Sequence, residues 1–248
     1  MNIYADILRD KKAGKKKFAV LVDPDKTNNK QCELLASEAQ LAGVDLIFAG
    51  SSIITANHLD DCIKIIRAHS NIPVVLFPGS TLQISSEADA ILLLSLISGR
   101  NAEMLIGKQV VAAPFLRSSN LEIISTGYML IDPGHPTSVS YMSDTIPVPH
   151  DKNDIAVCTA LAGEQLGMKM IFMDAGSGAR VPVSCSMIEA VSKIISVPLI
   201  VGGGIKTPEK VLENCNSGAD IIVAGNSIEK NRGLISELAD AVHSFQTT

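Results

Sequence analysis

Two glycine turns lie in the last quarter of the chain, Val201-Gly202-Gly203-Gly204-Ile205 and Val223-Ala224-Gly225-Asn226-Ser227. Glycines let backbone N–H groups come close to an anion, so such turns can hold a phosphate without a basic side chain; two ligand-free tight turns read the same way. Upstream, Phe172-Met173-Asp174-Ala175-Gly176-Ser177-Gly178-Ala179 puts a carboxylate beside a flexible turn. Asp174 can take a proton from a hydroxyl held next to it, while Ser177 and the amides of Gly176 and Gly178 help hold the substrate. An aspartate that only caps a turn is the competing reading. Near the N-terminus, Asp23-Pro24-Asp25-Lys26 and Gly50-Ser51-Ser52 offer hard oxygen ligands. Asp23 with the Ser52 hydroxyl suits Mg²⁺, which takes few protein oxygens and completes its shell with water and substrate phosphate; a plain turn and a helix cap use the same residue types. His58, His69, His135, His150 and His243 show no close metal spacing, and Asp60-Asp61 reads as a solvated helix face.

These residues need a scaffold that brings distant segments to one place. Short β-branched apolar runs recur at Phe18 to Val22, Asp45 to Ala49, Pro73 to Phe77, Ala90 to Leu94, Gly127 to Ile131, Met170 to Met173, Pro198 to Val201 and Asp220 to Ala224. Their hydrophobicity is continuous, as a strand buried on both faces requires, and parallel pairing then demands crossover helices. Leu59, Cys62, Ile63 and Ile66 share a helical face, as do Met187, Ile188, Val191, Ile194 and Ile195, and Leu234, Ile235, Leu238, Ala241 and Val242. Thr207 and Pro208 mark a further helix start. Strand and helix alternate along all 248 residues without a linker, which predicts one closed (β/α)₈ barrel with every candidate residue at the C-terminal ends of its strands. One unit departs from the pattern: Pro78 to Glu87 is short and turn-rich, so a loop is expected where the third helix would lie. Pro133 to Asp154 holds Pro133, Pro136, Pro147 and Pro149, and is expected to be a long loop and a lid candidate.

Composition narrows the function class. With 21 Lys and Arg against 26 Asp and Glu, a formal charge of −5 and no Trp, the chain lacks the basic face and stacking platforms of a nucleic-acid groove. Five scattered cysteines without a CxxC pair argue against a disulfide framework or zinc knuckle and fit a reducing cytoplasm. No export signal or bilayer-spanning run is apparent. The cluster Lys11 to Lys17 reads as a solvated loop.

Taken in order, Leu21 to Lys26, Ala49 to Ser52, Phe172 to Ala179, Gly202 to Lys206 and Ala224 to Asn226 resemble the geranylgeranylglyceryl phosphate synthase family over nearly the whole chain. Ser95 to Asn101 is similar to that family's larger second group, with archaeal and Bacteroidetes members. The resemblance implies a modified TIM barrel with a loop in place of helix three. It also implies an Mg²⁺-dependent prenyltransferase that joins sn-glycerol 1-phosphate to geranylgeranyl diphosphate through an ether bond and releases diphosphate. Carried over by position, Asp23 and Ser52 would hold Mg²⁺. Phe172, Met173, Asp174, Ala175, Gly176, Ser177, Gly178, Gly203, Gly204, Gly225 and Asn226 would hold glycerol phosphate, with Asp174 as base. The family's sixth-strand motif commonly reads Tyr-Leu-Glu; here Phe172 brings no phenol and Asp174 is one methylene shorter. The resemblance further implies a dimer or hexamer, and the lipid substrate implies passing contact with a membrane surface. Ile53, Ile54 and the segment after Ile131 are candidates for the prenyl groove. Other prenyl chain lengths, a phosphosugar isomerase or lyase, and a nonenzymatic phosphometabolite-binding barrel are the alternative readings.

Overall fold

The structure, a computed structural model, describes residues 2–53, 55–56 and 58–245. Eight parallel strands close into a barrel in chain order: β1 (Lys17–Val22), β2 (Leu46–Ala49), β3 (Val74–Leu76), β4 (Ala90–Leu96), β5 (Glu122–Leu130), β6 (Met170–Asp174), β7 (Leu199–Gly202) and β8 (Ile221–Ala224). Strand β8 returns to β1, pairing Ala224 with Val20. Around the strands lie α1 (Ile3–Lys12), α2 (Asn29–Leu41), α3 (Leu59–His69), α4 (Lys108–Ser118), α5 (Ser138–Ser143), α6 (Asn153–Gln165), α7 (Cys185–Ser192), α8 (Pro208–Asn216), α9 (Asn226–Lys230) and α10 (Leu234–Ser244). A π-helical turn, Glu103–Gly107, leads into α4.

Strand pleating sorts the apolar side chains into two layers. On β6, Ile171 and Met173 pack outward among the helices, whereas Met170 and Phe172 pack inside the barrel. Asp174, two residues beyond Phe172, therefore belongs to the inner face, at the strand's C-terminal end. Helix α8 starts as its sequence suggests, with Thr207 capping the Lys210 N–H and Pro208 in the first turn. Helix α7 ends at Ser192, so Ile194 is half exposed rather than on the buried stripe.

Between β3 and β4, residues 77–89 form no helix. The proline-rich stretch differs from its expectation, because α5 forms within it and α6 already begins at Asn153. Its prolines all lie outside α5, and Thr137 and Ser140 make a capping box that starts the helix.

The N-terminal end of the barrel also corrects the expectation of a solvated lysine loop. Helix α1 seats Ile3 and Ile7 in the inner core, and the Glu122 carboxylate accepts from the Ile3 and Tyr4 N–H groups at 2.6 and 3.0 Å. Lys11 and Lys16 pair with the buried Asp220 at 2.6 and 3.4 Å, and Lys17 pairs with Asp10 at 2.6 Å. Asp220 is tied in turn to the Leu199 N–H, so these lysines offset a carboxylate that the barrel itself buries.

Candidate active site

At the C-terminal ends of the strands lies a cavity of about 480 Å³. Asp23, Ser52, Phe172, Asp174, Gly176, Ser177, Gly178, Gly203, Gly204, Gly225 and Asn226 all line it. The barrel thus gathers rim segments from strands β1, β2, β6, β7 and β8 around one space. Met173 and Ala175 stand apart: both side chains are buried in the outer core, leaving only their backbone near the turn.

Asp174 is held from two sides. Its Oδ1 accepts the Gly176 N–H at 2.7 Å, and its Oδ2 accepts the Tyr128 hydroxyl at 2.7 Å. Burial pushes the Asp174 carboxyl above its ordinary range, while the Tyr128 hydroxyl and the Gly176 N–H pull it back. The Tyr128 phenol is pushed well up by burial, by the Asp174 charge and by this bond, so it keeps its proton. Phe172 contributes no hydroxyl; it stacks on Phe77 with ring centroids 5.2 Å apart and meets Tyr128 edge-on at 5.5 Å. The phenol at this carboxylate thus comes from β5, where Tyr128 stands in register with Phe172. Sequence reading missed Tyr128 because its partner is 46 residues away.

Gly203 closes the turn against this carboxylate. A Cβ there would lie 2.8 Å from Asp174 Oδ1 and from the Ala175 and Gly176 nitrogens, and its φ of +85° favours glycine. On the same side, the Ser177 hydroxyl donates to Asn226 Oδ1 at 2.8 Å, joining the β6 turn to the start of α9. Three glycine turns therefore converge beside a buried carboxylate, which suits a small phosphorylated alcohol whose hydroxyl must lose a proton.

The opposite corner is built from the β1 and β2 turns. Asp23 Oδ1 accepts the Asp25 N–H at 3.1 Å, and Oδ2 accepts the Ser51 hydroxyl at 3.2 Å. Ser51, which sequence reading passed over, thus contacts the carboxylate, with Ser52 beside it on the cavity wall. The Lys26 ammonium lies 2.8 Å from Asp23 Oδ2, and that bond raises its pKa. Asp25 accepts from the N–H and hydroxyl of Thr55, clamping the two turns together and lowering its own pKa. Among the described residues no group of three or more His, Cys, Asp or Glu converges. One carboxylate with neighbouring hydroxyls is a donor set that a hard cation can take when its remaining ligands are water and substrate oxygens, and Lys26 would have to leave Asp23 Oδ2 to admit it.

From there the cavity becomes apolar. It reaches between the outer side of β4 and α4, where Ile84, Ile91, Leu93, Ala112 and Leu116 line it, and under α5, where Val139 and Met142 do so. Ile53 lies on its wall, as do these residues beyond Ile131, whereas Ile54 lies outside the described residues. The β4–α4 wall was not recognised in the sequence, where Leu92 to Leu94 look like any fully covered strand. In the structure, Leu93 and Leu94 are only partly covered.

Comparison with known proteins bears on this arrangement. The sequence profile of the PcrB family matches residues 11–244. Geranylgeranylglyceryl phosphate synthase of Chitinophaga pinensis is 57% identical over 98% of this chain and 96% of its own. The same-named protein of Spirosoma linguale is 53% identical over 96% of each chain. Among solved structures, (S)-3-O-geranylgeranylglyceryl phosphate synthase from Thermoplasma acidophilum, in complex with its substrate sn-glycerol-1-phosphate, superposes with a TM-score of 0.94. That protein is 32% identical, with 99% of this chain and 100% of the other covered.

Proposed function

This chain belongs to the PcrB family, and from that membership we propose that it is a geranylgeranylglyceryl phosphate synthase acting on sn-glycerol 1-phosphate and geranylgeranyl diphosphate. The observation that carries the reading is the buried Asp174 carboxylate set among converging glycine turns, in a cavity whose other end is apolar. The turns after β6, β7 and β8 hold the phosphate and aim the glycerol hydroxyl at Asp174. The hydroxyl oxygen bonds to C1 of the prenyl chain as the bond from C1 to the diphosphate oxygen breaks. Diphosphate leaves with that electron pair, and the hydroxyl proton passes to Asp174. A carboxylate is too weak to ionise an alcohol beforehand, but it accepts the proton as C–O bonding makes the hydroxyl acidic. Tyr128 and Gly176 keep the carboxylate aimed, and Phe77 and Phe172 keep water from the reacting carbon. Fixing both partners replaces an encounter entropy worth roughly 7 to 11 kcal/mol at best.

The diphosphate end belongs at Asp23 and Ser52. Mg²⁺ bound there would neutralise the charge that grows on the departing diphosphate. The prenyl tail occupies the arm between β4 and α4, and its apolar nature disfavours a phosphosugar isomerase or lyase, which would leave that arm unused. The lipid substrate is reached by passing contact with a membrane surface; no helix among the described residues is long and apolar enough to cross one. Five free cysteines suit a reducing cytoplasm. Exposed Val110, Val111, Phe115 and Tyr141 support assembly into a dimer or hexamer, which sedimentation measures.

Incubation with sn-glycerol 1-phosphate, Mg²⁺ and a ladder of prenyl diphosphates, followed by product mass measurement, tests the activity. A geranylgeranyl ether supports it, and a different ether length reassigns the donor. Absence of any ether alongside tight glycerol phosphate binding would leave only a binding barrel.

A further inference from the structure

The loop that stands where a third helix would lie runs over the rim and reaches the metal corner. Gln83 projects from it and is 1% exposed. Its amide engages a single residue of the β2 turn twice: Oε1 accepts the Ser51 N–H at 2.9 Å, and Nε2 donates to the Ser51 carbonyl at 2.6 Å. The Ser51 hydroxyl reaches Asp23 Oδ2 from that same residue, and Ser52 follows directly. Gly79 brings the loop backbone against the turn from the other side: a Cβ there would lie 2.3 Å from the Ser51 oxygen and 2.9 Å from Ser52 Cα.

We infer that Gln83 is a positioning residue for the cation and diphosphate end of the site, holding the Ser51-Ser52 turn at its distance from Asp23. This rests on the reading of that corner proposed above. A buried side-chain amide that satisfies both backbone polar groups of one residue holds the turn in one orientation; without it, a part-buried N–H and C=O lose their partners and the turn rotates to recover them. A helix between β3 and β4 would lie outside the barrel and reach no rim turn, so replacing it with a loop gives the corner its support. The glycerol phosphate turns lie on β6 to β8, across the cavity, whereas both side-chain hydrogen bonds of Gln83 go to Ser51.

The test separates the two ends of the site by calorimetry on wild type, Gln83→Met and Gln83→Ala. Inorganic diphosphate with varied Mg²⁺ probes one end, and sn-glycerol 1-phosphate without metal probes the other. In the variants, the Mg²⁺ concentration that half-saturates diphosphate binding should rise about 10- to 100-fold, as for lost outer-shell partners of metal ligands, with glycerol phosphate affinity within about twofold of wild type. Should both variants fail to fold, Gly79→Ala strains the same turn and should give the same split. Unchanged Mg²⁺ dependence, or a parallel loss of both ligands, would overturn the assignment. Wild type that binds glycerol phosphate but shows no Mg²⁺-dependent diphosphate binding would instead sink the metal-corner reading, and Gln83 with it.

Discussion

Asp174 balances two opposed requirements. A base must be ionised at working pH yet avid enough to take a proton, and burial supplies the avidity while Tyr128 and Gly176 preserve the charge. Asp174→Asn removes the acceptor and should cut turnover by about 10²- to 10⁴-fold while glycerol phosphate still binds; turnover near wild type would reject the base. Tyr128→Phe acts through the same carboxylate. The lost hydrogen bond had stabilised the charged form, so the Asp174 pKa rises further and a larger share of enzyme is protonated at a given pH. The acid limb of the kcat/KM profile should therefore move to higher pH, and a limb that stays in place would show that the phenol does not tune the base.

Elements divide the labour along the cavity. Turns after β6, β7 and β8 set the polar end, while α4 and α5 set the apolar one. Asn101, at the end of the motif shared with the family's second group, donates to the Ser143 carbonyl at 2.7 Å and so ties the β4 turn to the end of α5. Ala112 on α4 is 5% exposed and forms part of the wall, so its small side chain leaves room there. Ala112→Trp should fill that arm and move the product spectrum to shorter prenyl chains, with turnover of a short donor largely retained. An unchanged spectrum by mass would place the tail elsewhere.

At the scale of the whole molecule, the far end of the barrel carries stability rather than chemistry. His243 on α10 bonds to Asp45 before β2 at 2.9 Å, and the same carboxylate accepts the Phe18 N–H. The bond to Asp45 raises the His243 pKa above its ordinary 6.5 despite partial burial. A histidine whose folded pKa is raised contributes stability fully present below the unfolded value and lost as pH rises through the folded one. The Tm gap between wild type and His243→Gln should therefore be widest below about pH 6.5 and close as pH rises above it. A gap that widens with pH would assign the contact a different role.

Local pattern alone determined much of this protein. Eight continuous apolar runs, the stripes of α3 and α10, the Thr207-Pro208 helix start and the turn-rich Pro78 to Glu87 segment were readable because each depends on residues within a turn or two of one another. The glycine turns and Asp174 were readable for the same reason. Tertiary structure alone decided which groups meet: Tyr128 with Asp174, Gln83 with Ser51, Glu122 with the start of α1, and β4 with the uncovered wall under α4. Those contacts depend on how strands stagger on closing a barrel and on where loops cross its rim. Neither leaves a period in the sequence, so hydrogen bonds spanning 46 or 32 residues had no local signal to announce them.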